Sequence, residues 1–160
     1  MSFESLTDEK IKQLIRLPKR VTNPGARDMD DGGYLRRDYK VVSAAGDEQV
    51  FRLFTRQNKK VSNDFACGLR WLPPGTDGLM LLRYNGPSHS HTNKLEKEYL
   101  DHVCHIHRAT ERYIRANLKA EGFAEETSRY RTIRGALHDL VKECRIEGLT
   151  TEADEPDLFQ

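Results

Sequence analysis

Four strand-like segments joined by short connectors dominate the chain between residues 34 and 84. In the clearest segment, residues 65–71, apolar residues alternate with small or polar ones: Phe65, Cys67, Leu69 and Trp71. Such alternation is typical of a strand with one buried face. Connectors as short as residues 73–78, which are rich in Pro and Gly, favour antiparallel neighbours. The pattern therefore predicts an antiparallel meander sheet.

The other strand-like segments lie at about residues 35–41, 49–56, 79–84 and 102–108. A helix is predicted over residues 7–17, capped by Thr7 and ended by Pro18, and a short one over residues 110–118. Residues 130–145 repeat apolar side chains at helical spacing: Ile133, Leu137, Leu140, Val141 and Cys144. We therefore predict an α+β fold with an N-terminal helix, a meander of about five antiparallel strands, and a C-terminal helix packed on the sheet.

Length and charge suggest one domain followed by a tail. A chain of 160 residues is long enough for one hydrophobic core, so residues 1–148 are expected to form a single α+β domain. Residues 149–160 are acidic and contain no base, which predicts a disordered tail. The rest of the chain has a net positive charge, with basic residues crowded between Arg36 and Lys60. Such a basic surface suits phosphate.

The three cysteines are scattered and form no C-x-x-C pair, which indicates reduced thiols rather than a disulfide framework or a zinc finger. No apolar run approaches the length of a membrane span, and residues 1–20 are charged throughout. A cytoplasmic protein with no membrane partner is expected.

Five of the six histidines fall between positions 89 and 107. If residues 102–108 are extended, His105 and His107 point to the same face, about 7 Å apart at the backbone. His89 and His91 lie in a loop that follows the fourth strand segment. Whether the loop histidines reach the strand histidines depends on the register of the sheet, which the sequence does not determine.

Three roles for this segment fit the residue types. In the first, His91, His105, His107 and Glu111 bind zinc or another divalent metal ion. In the second, His105 and His107 are the acid–base pair for a phosphodiester, with His91 assisting and Arg83 stabilising the negative charge. In the third, the histidines only fasten the loop to the sheet through a polar network.

A set of short motifs covers roughly residues 79–146: Arg-Tyr-Asn-Gly-Pro at 83–87, His-Thr-Asn at 91–93, His-Ile-His at 105–107 and Thr-Glu at 110–111. This pattern resembles a family of small bacterial and mobile-element proteins of unknown function. The resemblance implies a bacterial or phage source and a mobile-element or defence context, with no established activity. The positions it carries over are His91, Asn93, His105, His107 and Glu111.

The preferred hypothesis is a histidine-cluster domain that binds or acts on a phosphate-containing ligand, nucleic acid above all, as a nuclease-like protein. The alternative is a non-catalytic binding or accessory module. In that case the histidine segment is structural, and the basic first half or the acidic tail contacts a protein partner.

Overall fold

The computed structural model describes residues 3–46 and 48–156. Within them are three helices: α1 (Asp8–Arg16), α2 (Glu111–Arg115) and α3 (Ile133–Glu143). The strands are β1 (Lys19–Val21), β2 (Met29–Asp31), β3 (Tyr34–Ser43), β4 (Val50–Asn58), β5 (Phe65–Trp71), β6 (Leu79–Asn85), β7 (His91–Asn93), β8 (Glu98–Leu100), β9 (His105–Arg108), β10 (Phe123–Glu126) and β11 (Ile146–Glu147).

Most strands belong to one sheet, with the order β10-β9-β6-β5-β4-β3-β1-β11 and β2 paired to β3. The consecutive antiparallel strands β3 to β6 form the predicted meander. The α+β class is confirmed, but the prediction of only about five strands was wrong. The additional strands β1, β2, β7, β8, β10 and β11 are two to four residues long. Alternation over so few residues gives no sequence signal.

The two longer helices cover one face of the sheet. Helix α1 begins after Thr7, whose side chain accepts a hydrogen bond from the Lys10 N–H, and it buries Ile11, Leu14 and Ile15. Helix α3 packs against β4 and β5. We call this the helix face, and its buried residues on β4 and β5 include Phe51, Leu53, Cys67 and Leu69.

The opposite side of the meander carries the alternate residues of the same strands, and we call it the open face. Its members on β3 to β6 include Arg36, Lys40, Arg52, Arg56, Arg70 and Arg83. Because side chains alternate along a strand, the sequence that buries Phe51 and Leu53 under the helices directs Arg52 to the open face.

Part of the segment expected as an acidic tail contacts the start of α3. Asp154 accepts hydrogen bonds from the Arg131 N–H, at 2.6 Å, and from the Thr132 hydroxyl. A carboxylate at this position also interacts favourably with the positive end of the helix. Gly135 lets this carboxylate approach the helix closely, because a Cβ at this position would push the Asp154 side chain away. Residues 157–160 of the segment lie outside the described residues.

No helix in the described part of the chain combines the length and apolar character needed to cross a bilayer.

Candidate functional site

The histidines of the loop and the strand lie together on the open face. Strand β9 pairs with β6 so that Arg83 lies opposite His107 and Asn85 opposite His105. The hairpin of β7 and β8 brings the His91 ring centroid to 4.6 Å from that of His107 and 5.8 Å from that of His105. The centroids of His105 and His107 are 5.0 Å apart.

His89 completes the group, with its ring centroid 5.7 Å from that of His105. We call these four residues the histidine cluster: His89, His91, His105 and His107. His102 lies outside it, on an exposed turn where it contacts Asp101, and His138 contacts Thr151 beside α3.

Asn93 holds the hairpin in place. Its side chain is fully buried and forms hydrogen bonds with both backbone groups of Ala124 on β10, each at 2.8 Å. Its Nδ2 also donates to Glu98, and its Oδ1 contacts the Nε2 of His91. These bonds fix the amide orientation and thereby the position of His91 next to the strand histidines.

The protonation of three rings follows from their partners. The Nδ1 of His105 contacts the Val103 carbonyl and the Nδ1 of His107 contacts the Glu121 carbonyl, each at 2.8 Å. The Nε2 of His91 contacts the Gly122 carbonyl at 2.9 Å. Because a carbonyl oxygen only accepts, these nitrogens carry the proton, and the opposite nitrogen of each neutral ring holds a lone pair.

The lone-pair nitrogen of His105, Nε2, is buried and has no hydrogen-bond partner within the described residues. Burial lowers the pKa of His107 to about 2, and the nearby positive charge of Arg83 acts in the same direction. Burial also lowers the pKa of His105. Both rings are therefore neutral at neutral pH, which suits neither a general acid nor a general base working near pH 7.

His89 differs from the other three because it is exposed and borders a groove on the open face. Its Nδ1 is 3.1 Å from the Ser88 hydroxyl, which is 3.2 Å from a carboxylate oxygen of Asp64. If the Ser88 hydroxyl donates to Asp64, it accepts from the Nδ1 of His89. The Nε2 of His89 then carries a lone pair and is free to accept a proton.

Asp64 is fixed from several directions. Burial raises its pKa, but hydrogen bonds from Tyr34, Asn58 and Ser88 outweigh this effect and hold the pKa below its ordinary value. Asp64 therefore stays ionised and orients Ser88, which in turn orients His89. A base that a third group holds in position is a common arrangement in catalytic sites.

The groove beside His89 is a cavity of about 560 Å³ that extends across β3, β4, β5 and β6. Its positively charged lining consists of five arginines: Arg36, Arg52, Arg56, Arg70 and Arg83. We call this cavity the arginine groove. Asn85 and His89 also line it, so the groove reaches the histidine cluster.

Several cations of the open face lie directly opposite one another in neighbouring strands. Lys40 faces Arg52, which faces Arg70, and Arg36 faces Arg56. Like charges at such positions repel and destabilise a sheet. Arg36 is compensated by Asp38 and Arg56 by Asp31, whereas Lys40 and Arg52 have no ion pair within the described residues.

Two guanidinium groups of the groove lie over aromatic rings. The Arg56 guanidinium carbon is 3.6 Å from the Tyr34 ring centroid, and that of Arg36 is 4.8 Å from the Phe54 ring centroid. Phe54 lies over Gly68, where a Cβ would be only 2.7 Å from that ring and from the Leu82 carbonyl oxygen. Glycine at position 68 therefore makes room for this stacked pair.

Arg83 connects the groove with the histidine cluster. Its Nε donates to the Asn85 Oδ1 at 3.1 Å, and its Nη1 is 3.9 Å from a Glu121 carboxylate oxygen. The latter distance is longer than a hydrogen bond, so the guanidinium keeps free donors. Arg83 lies near the end of the apolar strand β6, and its predicted role in binding an anion stays a prediction.

Glu111 is not brought to the cluster. Its backbone N–H donates to the Asp8 carboxylate at 2.8 Å, and its own carboxylate accepts from the Asp8 N–H at 3.2 Å and from Arg115. The predicted carboxylate ligand therefore joins α2 to α1. Across residues 3–46 and 48–156, no group of three or more His, Cys, Asp or Glu side chains is positioned to hold a metal ion.

Sequence reasoning named His91, His105, His107 and Arg83 as candidates but left open whether the loop histidines meet the strand histidines. It noted His89 in the same loop without giving it a role, and it did not single out Asp64. Ser88 and His89 are neighbours in the chain, whereas Asp64 lies 24 residues before Ser88. No motif spacing connects residues that far apart, because their contact depends on how the loops fold over the end of the sheet.

No protein-family model, curated protein or solved structure matches this chain, so its function is inferred from the site itself.

Proposed function

We propose that this protein binds nucleic acid through phosphate contacts in the arginine groove and acts on a phosphodiester beside His89, as a nuclease-like protein. The observation that carries the proposal is the continuity of the five-arginine groove with the histidine cluster. Guanidinium groups suit phosphate because they are always charged and present several donors in one plane.

The roles of the individual residues follow from their surroundings. The Nε2 of His89 accepts the proton of the attacking hydroxyl or water, and Asp64 and Ser88 hold the ring in position. The attacking oxygen forms a new P–O bond as the bond from phosphorus to the leaving oxygen breaks, and the leaving oxygen takes up a proton from water. Arg83 stabilises the negative charge that develops on the phosphate oxygens. His91, His105 and His107 support the base rather than replace it, because the latter two are buried and neutral.

A divalent metal ion such as zinc is a separate part of the hypothesis. Three imidazoles, each donating one ring N–H to a backbone carbonyl, have the donor chemistry of metal ligands. The described side chains are not arranged to hold an ion as they stand. No step of the proposed reaction therefore depends on a metal.

The decisive experiment compares His89→Ala with His102→Ala in nuclease assays on single- and double-stranded RNA and DNA. Both histidines are exposed and lie in the same segment, but only His89 borders the groove. We expect His89→Ala to reduce cleavage by roughly 100-fold or more, the usual contribution of a general base, and His102→Ala to leave it unchanged. Equal rates for the wild type and His89→Ala, or no cleavage of any substrate, would contradict the proposal.

Metal content decides how the nucleophile is activated. Elemental mass spectrometry of the untagged protein and of a His105→Ala, His107→Ala variant measures it directly. Near-stoichiometric metal that is lost in the variant would assign nucleophile activation to the ion. Absence of metal from both proteins would leave that role to His89.

A non-catalytic accessory module is the second candidate. The observation in its favour is that His91 and Asn93 fasten the hairpin to Gly122 and to Ala124 on β10. In that case His105→Ala lowers the melting temperature without any specific catalytic defect. Oligonucleotides or a protein partner would then be bound by the wild type but not processed.

A further inference from the structure

We infer that the arginine groove holds a single strand of nucleic acid, with phosphates on the cations of the open face and bases against its guanidinium–aromatic pairs. The inference rests on the proposed function only in that both place a phosphate ligand in the same groove. The inference specifies that the ligand is a single strand, whereas cleavage of a phosphodiester could also occur in a duplex.

The cation row across the strands supplies the phosphate contacts. Lys40, Arg52 and Arg70 occupy neighbouring strands of the open face and face one another directly. Strands are about 4.8 Å apart, so the row spans about 10 Å. Lys40 and Arg52 lack an ion pair within the described residues, and an anion is what relieves their mutual repulsion.

The stacked pairs supply contacts for bases. Arg56 lies over Tyr34 and Arg36 over Phe54, so planar guanidinium groups are held on aromatic rings inside the groove. Unpaired bases stack on guanidinium and aromatic planes, whereas a duplex keeps its bases stacked inside and presents only phosphates and groove edges. A surface that combines both kinds of contact therefore favours a single strand.

The dimensions of the groove point the same way. A cavity of about 560 Å³ falls in the size range of pockets that enclose small ligands or parts of a chain. The strand would cross β3 to β6 and place one phosphodiester near Arg83 and His89.

The first test is binding measured by fluorescence anisotropy with a labelled ten-nucleotide RNA strand, the same DNA strand and the matching duplexes. Adenosine monophosphate as competitor distinguishes a strand from a free nucleotide. We expect either single strand to bind at least tenfold more tightly than its duplex, and the mononucleotide to compete only weakly.

The second test removes two cations of the row. Lys40→Gln, Arg52→Gln should weaken strand binding by about tenfold and lower the slope of log affinity against log salt by about 1.4, the value for two phosphate contacts on a single strand. The matched control is Lys12→Gln, Arg16→Gln, which removes the same charges from α1 behind the sheet and should bind like the wild type.

The third test separates stacking from charge. Arg36→Lys, Arg56→Lys keeps both positive charges but loses the planar groups, so it should weaken single-strand binding by several-fold and leave the salt slope unchanged.

Two results would overturn the inference: duplexes bound as tightly as single strands, or unchanged binding in the Lys40→Gln, Arg52→Gln variant. Its failure differs from failure of the proposed function. A strand that is bound but not cleaved contradicts only the nuclease proposal, and duplexes that are cleaved and bound as tightly as single strands contradict only this inference.

Discussion

Strands β6 and β9 carry a polar network on each side, and the two networks are built differently. On the helix face, Tyr84 donates to Asp139 and Glu143, and these acids face Arg108 and Arg129. On the open face, Arg52 lies between Lys40 and Arg70, and Arg83 lies opposite the neutral His107 with Glu121 as a distant counter-charge.

The difference indicates that the helix-face network stabilises the fold, whereas the open-face network suits the binding of a ligand. In the network of Tyr84 on the helix face, each charge has an opposite charge at hydrogen-bonding distance, so the network holds α3 to the sheet. On the open face like charges lie together and the Nε2 of His105 has no partner within the described residues. Groups arranged at a cost in stability are typical of sites that a ligand completes.

The largest expected effect is a loss of folding stability at low pH, caused by the buried His107 on the open face. Because burial lowers the pKa of His107 from 6.5 to about 2, the unfolded state binds a proton that the folded state does not bind between these values. The folded state therefore loses stability as pH falls below 6.5. At pH 4 the free energy of unfolding is lower by about 3 kcal/mol than above pH 6.5. Urea denaturation of metal-free protein at pH 7, 5 and 4 measures it.

His107→Gln is the comparison for the acid effect. The variant loses the titrating ring, so its stability should fall less steeply between pH 6.5 and pH 5, a range above the titration of ordinary carboxylates. Parallel pH profiles for the wild type and the variant would show that His107 is not held neutral by the fold.

The second largest effect is expected from a substitution in the helix-face network. Glu143→Gln keeps the size of the side chain but removes the charge that faces Arg108 and Arg129, so we expect a loss of about 2 kcal/mol in the free energy of unfolding. Thermal melts should show a decrease of roughly 6 °C. Glu147→Gln, at an exposed position on β11, should change the melting temperature little.

The stability that Glu143 contributes to the helix-face network should also depend on pH, but at a lower pH than the effect of His107. Burial raises the pKa of Glu143, but the hydrogen bond from Tyr84 and the charges of Arg108 and Arg129 outweigh it and lower the pKa. Its contribution is therefore present above the ordinary glutamate pKa and lost as pH falls below it. A stability difference between wild type and Glu143→Gln that persisted unchanged at pH 3 would contradict this assignment.

The smallest expected effect is an increase in stability rather than a loss. Arg52→Gln removes a cation that lies between Lys40 and Arg70, so we expect the free energy of unfolding to rise by about 0.5 kcal/mol while strand binding weakens. Chemical denaturation at low salt is the appropriate measurement, because salt screens the repulsion. A clear loss of stability would place Arg52 among structural residues instead.

The sequence predicted those parts of the fold that repeat a pattern over several residues. Phe65 to Trp71 alternates for a whole strand, and the last helix repeats its apolar stripe for three turns, so both were located correctly. Strands β7 and β10 are too short for any periodicity, and they exist because the hairpin packs against the sheet.

The candidate site was predictable only in part for a similar reason. Spacing put His105 and His107 on one face, but the approach of His91 depends on the pairing of β6 with β9 and on Asn93. Glu111 looked like a ligand because it follows the histidines in the chain. Its carboxylate instead contacts a residue 103 positions earlier, which no local pattern reveals.

Asn93 also has a consequence for solubility. Strand β10 is the last strand at one end of the sheet, and such an edge exposes backbone groups that can pair with another chain and start aggregation. The Asn93 amide occupies both outward-facing groups of Ala124, so the hairpin acts as a cover over this edge. The segment that carries two of the clustered histidines thus also protects the sheet against unwanted strand pairing.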